Sequence, residues 1–284
     1  MYKYDVALLV VVYNKKFSES ITLASILNLK LDKERTFLSI WNNGPNKLAQ
    51  NEMISTLNER CDLHIGEDIG NRPLSKIYNQ FVEETNSRVT IILDDDTEIN
   101  QSYFSKAKLL PDYKVALPLV KDTGKIFYPV VDGKVVSKTC EIDSCSTVFS
   151  AMSGVMIGRK ILDDVYSKYQ SYFDERFALY GVDTSFFARV NSLDSKKGLS
   201  IIDAIEHSLS ENLDEISEKK KFREKETAIA EGIYFRHYMT KWKLIKVIIS
   251  NVIIYTFGRI IKAKDCYYRE NFIKGVIYGK HDKC

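Results

Sequence analysis

The sequence predicts an α/β fold, a mostly parallel central sheet flanked by helices, and three observations predict it. Apolar runs rich in β-branched residues, Val6 to Val12, Thr36 to Trp41 and Val89 to Leu93, recur between stretches of helical spacing. Continuous runs of that length suit strands buried on both faces. Each run stops at a polar turn: Tyr13-Asn14, Asn42-Asn43-Gly44-Pro45 and Asp94-Asp95-Asp96-Thr97. Strand alternating with helix implies right-handed βαβ units, whose ligands gather beyond the carboxyl ends of the strands.

The elements follow in order. Ser18 is placed to cap a helix through Leu29, and Lys47 to Leu57 and Pro73 to Glu84 have helical character. Cys61 to Ile65 reads as a short strand. Val115 to Leu119 and Ile126 to Val131 read as further strands, and Ser144 to Ile157 is apolar with small residues. A loop and then a helix occupy Asp174 to Arg189. Leu199 to Ile205 is a strand ending at Glu206-His207, and Glu218 to Tyr238 is a charged helix.

The 284 residues suffice for one large domain or two small ones with a substantial core. A hydrophobic fraction of 45% beside 28% charge excludes a disordered chain. The five cysteines lack zinc spacing; Cys140 and Cys145 are close enough in sequence to pair, but free thiols in a reducing cytoplasm are expected. Met1 to Asp5 leads straight into a strand with no cleavage-site pattern, so no secretory leader is expected. No apolar stretch reaches the roughly 18 residues of a membrane span.

The net charge of +3 hides an asymmetry. From Lys219 onward 16 Lys/Arg stand against 6 Asp/Glu, a tail of +10 on a body of −7. The basic tail suggests an anionic surface as partner, and the acidic body argues against nucleic acid. Lys241 to Lys262 combines Trp242, Leu244, Ile245, Val247, Ile248, Ile249, Val252, Ile253, Ile254, Tyr255, Phe257, Ile260 and Ile261, flanked and interrupted by Lys241, Lys243, Lys246, Arg259, Lys262 and Lys264, which fits either a helix lying in a membrane surface or a buried helix or oligomer contact.

The acid triplet carries the chemistry. Three adjacent carboxylates repel unless a cation sits among them, and oxygen-rich sites suit Mg²⁺ or Mn²⁺, which in turn suit a diphosphate. A solvated turn or a helix cap is the alternative from the residues alone. Likewise, from the residues alone Asp183 fits a capping carboxylate, Ser153-Gly154 a tight turn or packing glycine, Arg159 a solvated charge, and His207 a structural histidine.

Taken as an ordered set, these motifs resemble the family 2 nucleotide-sugar glycosyltransferases of GT-A fold, closest to the bacterial rhamnosyltransferase-like branch that builds O-antigen and capsule polysaccharides. The resemblance implies a Rossmann-like, mostly parallel central sheet with a C-terminal helical membrane-associating extension. It divides the chain into a catalytic domain over 1–215, with a nucleotide-binding half (1–100) and an acceptor-binding half (101–215), and a basic amphipathic helical region over 216–284. Val11-Val12-Tyr13-Asn14 resembles the family's opening donor contact, which implies donor binding by Tyr13 and Asn14. Asn42-Asn43-Gly44-Pro45 resembles its Asp-Asn-Gly-Ser turn, with Asn42 in place of Asp. Asn71 and Asn79 resemble a further donor-side segment. Asp94-Asp95-Asp96-Thr97 resembles the DXD motif, implying donor contacts at Asp94 and Asp95 and metal ligation at Asp96. Ser153 and Gly154 resemble an acceptor-side pair. Phe177 to Thr184 resembles the segment that carries the catalytic base, here Asp183. Glu206-His207-Ser208-Leu209-Ser210 resembles His-Ser-Leu-Gly and implies that His207 is a second metal ligand.

The resemblance therefore implies a metal-dependent (Mn²⁺ or Mg²⁺), inverting hexosyl- or deoxyhexosyltransferase. Its donor would be of UDP or dTDP type, and its acceptor a lipid-linked saccharide. It would work in the cytoplasm, attached peripherally to the inner face of the membrane, and a homodimer is one arrangement open to it. Two other classes fit parts of the pattern. A sugar nucleotidyltransferase also needs metal-binding acids on an α/β sheet, but no Gly-rich phosphate loop follows Val12. A degenerate membrane-bound sugar-binding scaffold would not need the acids at 94, 96 and 183.

Overall fold

The computed structural model describes residues 1–47, 52–193, 198–208, 217–260 and 266–284, with the side chains of 217 and 257–260 left aside. Leu209 and Ser210, residues 48–51 of the expected 47–57 helix, the 215/216 boundary, Lys262 and Lys264 all lie outside the described residues, and Lys47 itself is not helical.

The first half alternates as its pattern requires. β1 (Tyr4–Val12) leads through a 3-10 turn (Phe17–Glu19) to α1 (Ile21–Leu27), then β2 (Thr36–Asn42), α2 (Glu52–Arg60), β3 (Asp62–Glu67), α3 (Leu74–Glu84) and β4 (Ser87–Asp94). From Val6 to Val12 every residue of β1 is buried, because helices cover both faces of a parallel sheet. β3 leaves all but Gly66 partly or fully exposed, as befits an edge strand. The cap of α1 is Ser20, not Ser18. Burial of Phe17 winds the 3-10 turn over Ser18, and the Ser20 side chain then accepts from the Leu23 N–H at 3.2 Å.

The rest of the chain closes the sheet. β5 (Thr97–Glu98) precedes α4 (Gln101–Leu109) and β6 (Val115–Asp122). The expected strand over Ile126 to Val131 is two, β7 (Lys125–Tyr128) and β8 (Val130–Val131), since Pro129 has no N–H to continue a ladder. β9 (Lys134–Val135), β10 (Cys140–Ile142), β11 (Val148–Phe149), β12 (Met156–Gly158), α5 (Arg159–Tyr169), α6 (Val182–Asn191), β13 (Leu199–His207), α7 (Ser217–Tyr238), α8 (Lys241–Ile260) and α9 (Cys266–Tyr278) follow. The main sheet runs β10-β13-β6-β12-β4-β1-β2-β3, with β5 on β13 and β7 on β6, and β11-β8-β9 form a small second sheet. The β4-β1-β2-β3 block is parallel, and β12 enters antiparallel to both neighbours. All five cysteines are free thiols.

Two compact units divide the chain. The first, residues 1–72, 78–172 and 189–212, holds the sheet and a core of Leu8, Val10, Leu38, Ile91, Leu93, Tyr103 and Phe104 with their neighbours. Arg159 belongs to this packing and is not a solvated charge: it donates to the carbonyls of Val82 (3.3 Å) and Thr85 (3.0 Å) and lies over the Tyr172 ring.

The second unit, residues 73–77, 173–188 and 213–284, is helical. Its cluster of Ala228, Phe272 and Val276 is joined by Phe235, Leu244, Val247 and Ile248. α7 and α9 meet at Gly232 and Gly275, where a Cβ on Gly275 would come within 2.2 Å of the Ile229 carbonyl oxygen. Gly275→Ala should therefore lower stability by about 2 kcal/mol, since the clash is with backbone that no rotamer can move. That outweighs the ~1 kcal/mol that alanine's helix propensity contributes. Urea unfolding measures the difference, and a stabilised variant would show that the helices separate freely.

Candidate functional site

In the first unit the carboxyl ends of β1, β2, β4 and β13 carry the polar residues singled out above. The triplet turn after β4 is held by the first turn of α1. Thr22 Oγ1 donates to the Asp94 carbonyl and accepts from the Thr97 N–H (2.8 Å), while Ser20 Oγ donates to the Asp95 carbonyl (2.9 Å). With the backbone secured in this way, the three side chains diverge. Asp95 turns towards β1, pairs with Lys15 and accepts from the Tyr13 N–H at 3.3 Å. Asp94 and Asp96 turn towards His207 at the end of β13, with Asp94 Oδ2 3.7 Å from Nε2 and Asp96 Oδ1 3.1 Å from Nδ1.

Among the described residues Asp94, Asp96 and His207 form the group able to hold a metal ion, with one ligand atom from each lying within 4.8 Å of the others. The donor set suits a cation of borderline or hard character, two carboxylate oxygens and an imidazole nitrogen. Asp96 Oδ1 is buried and its partner is the His207 ring, 3.1 Å away. Two carboxylates facing one imidazole leave negative charge that a cation would offset, so the donor set fits a divalent metal. Burial works to lower the pKa of His207, but the close approach of Asp96 and the charges of Asp94, Asp96 and Asp122 outweigh it and hold the ring above its ordinary value.

Ser153 lies beneath this group. It is buried, its Oγ accepts from the Asp94 N–H at 3.0 Å and shares a hydrogen bond with Thr97 Oγ1 (2.6 Å), which in turn contacts His207 Nδ1 at 2.9 Å. Gly154 beside it adopts φ +82°, and a Cβ there would meet Ile205 at 2.4 Å.

At the ends of β1 and β2, Tyr13 is 48% exposed and Asn14 takes a left-handed φ of 54° with its N–H on the Gly44 carbonyl (2.7 Å). Asn43 is buried and ties the turn to Asn71 and Arg72 through both ends of its amide. Asn79 is buried on α3. Asn42 is also buried, and its Nδ2 donates to Glu67 Oε2 at 2.9 Å. The register pairs Asn42 with Glu67 across β2 and β3, so a carboxylate stands beside the amide that replaced the expected Asp. Glu67 is the residue that sequence reasoning passed over. Its signal was a last-residue acid on the third strand, meaningful only once the register is known.

Asp183 belongs to the second unit. Gly181 (φ +81°) turns the chain against Phe177, and α6 begins at Val182. Asp183 is thus the second helical residue and not the cap, and it accepts from its neighbour Thr184 through N–H (2.7 Å) and Oγ1 (3.4 Å). Phe173 and Phe186 stack at 4.9 Å in the same unit. The residue keeps some accessible surface, yet protein surrounds its carboxyl densely. Burial raises its pKa above the ordinary aspartate value, against the opposing Thr184 hydrogen bonds.

A curled, mostly parallel sheet flanked by helices, with acids at the carboxyl end of its central strand, defines the GT-A fold of glycosyltransferases. No family model and no curated protein matches the sequence. Among solved structures the chain is similar to S. aureus TarS, with a TM-score of 0.56 and 15% identity over 96% of this chain and 54% of that one, so it spans about half of that protein's length. It is also similar to TarS 1–349 in complex with UDP-GlcNAc (TM-score 0.51, 11% identity, 98% of this chain and 93% of that one) and with UDP (0.52, 14%, 97% and 90%). At these identities the likeness is one of fold.

Proposed function

We propose that this protein is an inverting glycosyltransferase that moves a sugar from a nucleoside-diphosphate donor to a saccharide acceptor. The observation that carries the reading is the Asp94, Asp96 and His207 group at the strand ends, two carboxylates and an imidazole whose ligand atoms converge. The fold shared with TarS, whose structures hold UDP-GlcNAc and UDP, supports a UDP-type donor over dTDP. The family resemblance supports a lipid-linked acceptor, a role in bacterial O-antigen or capsule synthesis in the rhamnosyltransferase-like manner, and work at the inner face of the cell membrane.

Asp94, Asp96 and His207 would hold Mn²⁺ or Mg²⁺. When bound, the cation would supply positive charge to the departing diphosphate. Tyr13 and Asn14 contact the base, positioned by Asp95 and by the Gly44 carbonyl. Asp183 removes the proton of an acceptor hydroxyl. That oxygen then bonds to the anomeric carbon from the face opposite the leaving group. The bond from that carbon to the phosphate oxygen breaks, the diphosphate keeps the electron pair, and the configuration inverts.

Donor recognition here draws its carboxylate from Glu67 in place of the missing Asp. Glu67→Gln should raise the donor KM about tenfold, the loss of one charge-assisted hydrogen bond, with kcat little changed. An unchanged KM would remove Glu67 from the donor site.

The test of the function is a nucleotide-sugar panel assayed for free nucleoside diphosphate with Mn²⁺, with Mg²⁺ and with chelator, repeated with a lipid-linked acceptor. One donor should give a metal-dependent signal. Formation of nucleoside triphosphate and sugar 1-phosphate from a donor when pyrophosphate is added would indicate a nucleotidyltransferase, and silence in every format would indicate a scaffold.

A further inference from the structure

α8 carries apolar residues on two faces, with Lys243, Lys246 and Ser250 exposed on the side between them. At 3.6 residues per turn, Leu244, Val247, Ile248 and Asn251 share one face. That face packs into the second unit's cluster, where Asn251 Oδ1 accepts from Arg269 of α9 at 2.9 Å. The opposite face carries Trp242 (76% exposed), Ile249 (53%) and Ile253 (50%), flanked by Ile245 (46%) and Val252 (43%). A large apolar helix face is ordinarily covered. Here one face has its cover within the chain, and the other is open.

We infer that this outer face of α8 lies on an anionic lipid surface, with the helix in the plane of the interface. Charge decides the occupant. Lys241, Lys243 and Lys246 are exposed around the Trp242 end of the stripe, and no Asp or Glu occurs from Lys241 to Ile260. A second copy of α8 would offer these lysines no acidic partner in either orientation, and like charges facing across a contact disfavour it. Anionic headgroups answer them directly, and a tryptophan beside the lysines suits the headgroup level. Among the described residues no helix is long and apolar enough to cross a membrane, which leaves α8 lying along one. The inference deepens the proposed function by naming how the enzyme meets a lipid-linked acceptor.

The experiment uses the full chain with vesicles of phosphatidylglycerol and phosphatidylcholine, or of phosphatidylcholine alone, without donor or acceptor. Cosedimentation and tryptophan emission are read together. The chain has two tryptophans, and Trp41 is only 8% exposed, so a blue shift reports Trp242. Wild type should bind the anionic vesicles at least tenfold more tightly than the neutral ones, and salt should weaken the binding. Ile249→Asp with Ile253→Asp should lose at least tenfold in binding while unfolding at the same temperature, because both side chains face outward. Lys241→Gln, Lys243→Gln and Lys246→Gln together should abolish the preference for anionic vesicles. Wild type that ignores vesicles, or variants that bind as wild type does, would overturn the inference. So would a concentration-dependent dimer, formed without lipid and dissolved by the Ile249→Asp pair, which would assign the face to a second copy. Donor hydrolysis in solution is scored separately, so a failed membrane face and a failed transferase reading give different results.

Discussion

Asp183→Asn should lower turnover at saturating donor by about 10²–10⁴, the usual contribution of a general base, and at the same time should make the protein more stable at neutral pH. The two effects have one cause. Burial raises the Asp183 pKa, so its charged form is disfavoured in the folded state. A group whose folded pKa is raised contributes stability that is fully present below its unfolded value and is lost as pH rises through the folded value. The window therefore opens near the ordinary aspartate value of 3.8 and closes at the raised one. Asparagine retains an oxygen for the Thr184 N–H and has no charge to bury. The difference in melting temperature between variant and wild type should be close to zero in acid, grow across that window, and stay constant above it.

A purely structural role gives the opposite signs. An acid in the first turn of a helix usually contributes ~0.3–1 kcal/mol through the helix dipole, so its removal would destabilise α6 slightly and leave turnover intact. Melting curves and steady-state rates on the same pair of proteins separate the cases. For the base reading, the rate should also fall on the acid side through a pKa above the ordinary aspartate range, and that limb should be missing from the residual activity of the variant.

Much of this was legible in the sequence, for reasons that mark where legibility stops. Strands buried on both faces must be continuous apolar runs, so Val6 to Val12 and Val89 to Leu93 announced themselves, and their polar ends marked the edge where β4 delivers its acids. The structure brings His207 to those acids because β13 ends beside β5, which follows the triplet directly. What the sequence withheld depends on register and on competition between neighbours. Glu67 stands beside Asn42 only because β2 and β3 pair in parallel with that one alignment. Ser18 is a plausible cap until Phe17 is seen to be buried and Ser20 is found in that place. Ser153 looked like half of a tight turn, yet its hydroxyl supports the Asp94 backbone and the Thr97–His207 contact. Hydroxyls of this kind leave no periodic trace, since their value lies in a partner more than 50 residues away.

Asp96→Asn should reduce donor turnover by about 10²–10³, the loss expected when a preorganised charge no longer faces the leaving group. Activity alone would not prove metal ligation, because any distortion of the β4 end also slows the reaction. Thermal stability gives the independent readout. A cation that binds only the folded state at a hundred times its Kd adds about 2.7 kcal/mol, so Mn²⁺ should raise the melting temperature of wild type and not that of Asp96→Asn. Asp95→Asn serves as the control. Its carboxylate faces Lys15 and the Tyr13 N–H, away from His207, so it should keep the Mn²⁺ shift while its donor KM rises. The three adjacent acids then separate by function: one holds the Tyr13 loop, and two face the imidazole. If wild type shows no Mn²⁺ shift, the metal reading fails, and Asp94, Asp96 and His207 are an ion-paired cluster. If all three proteins shift alike, the cation binds elsewhere.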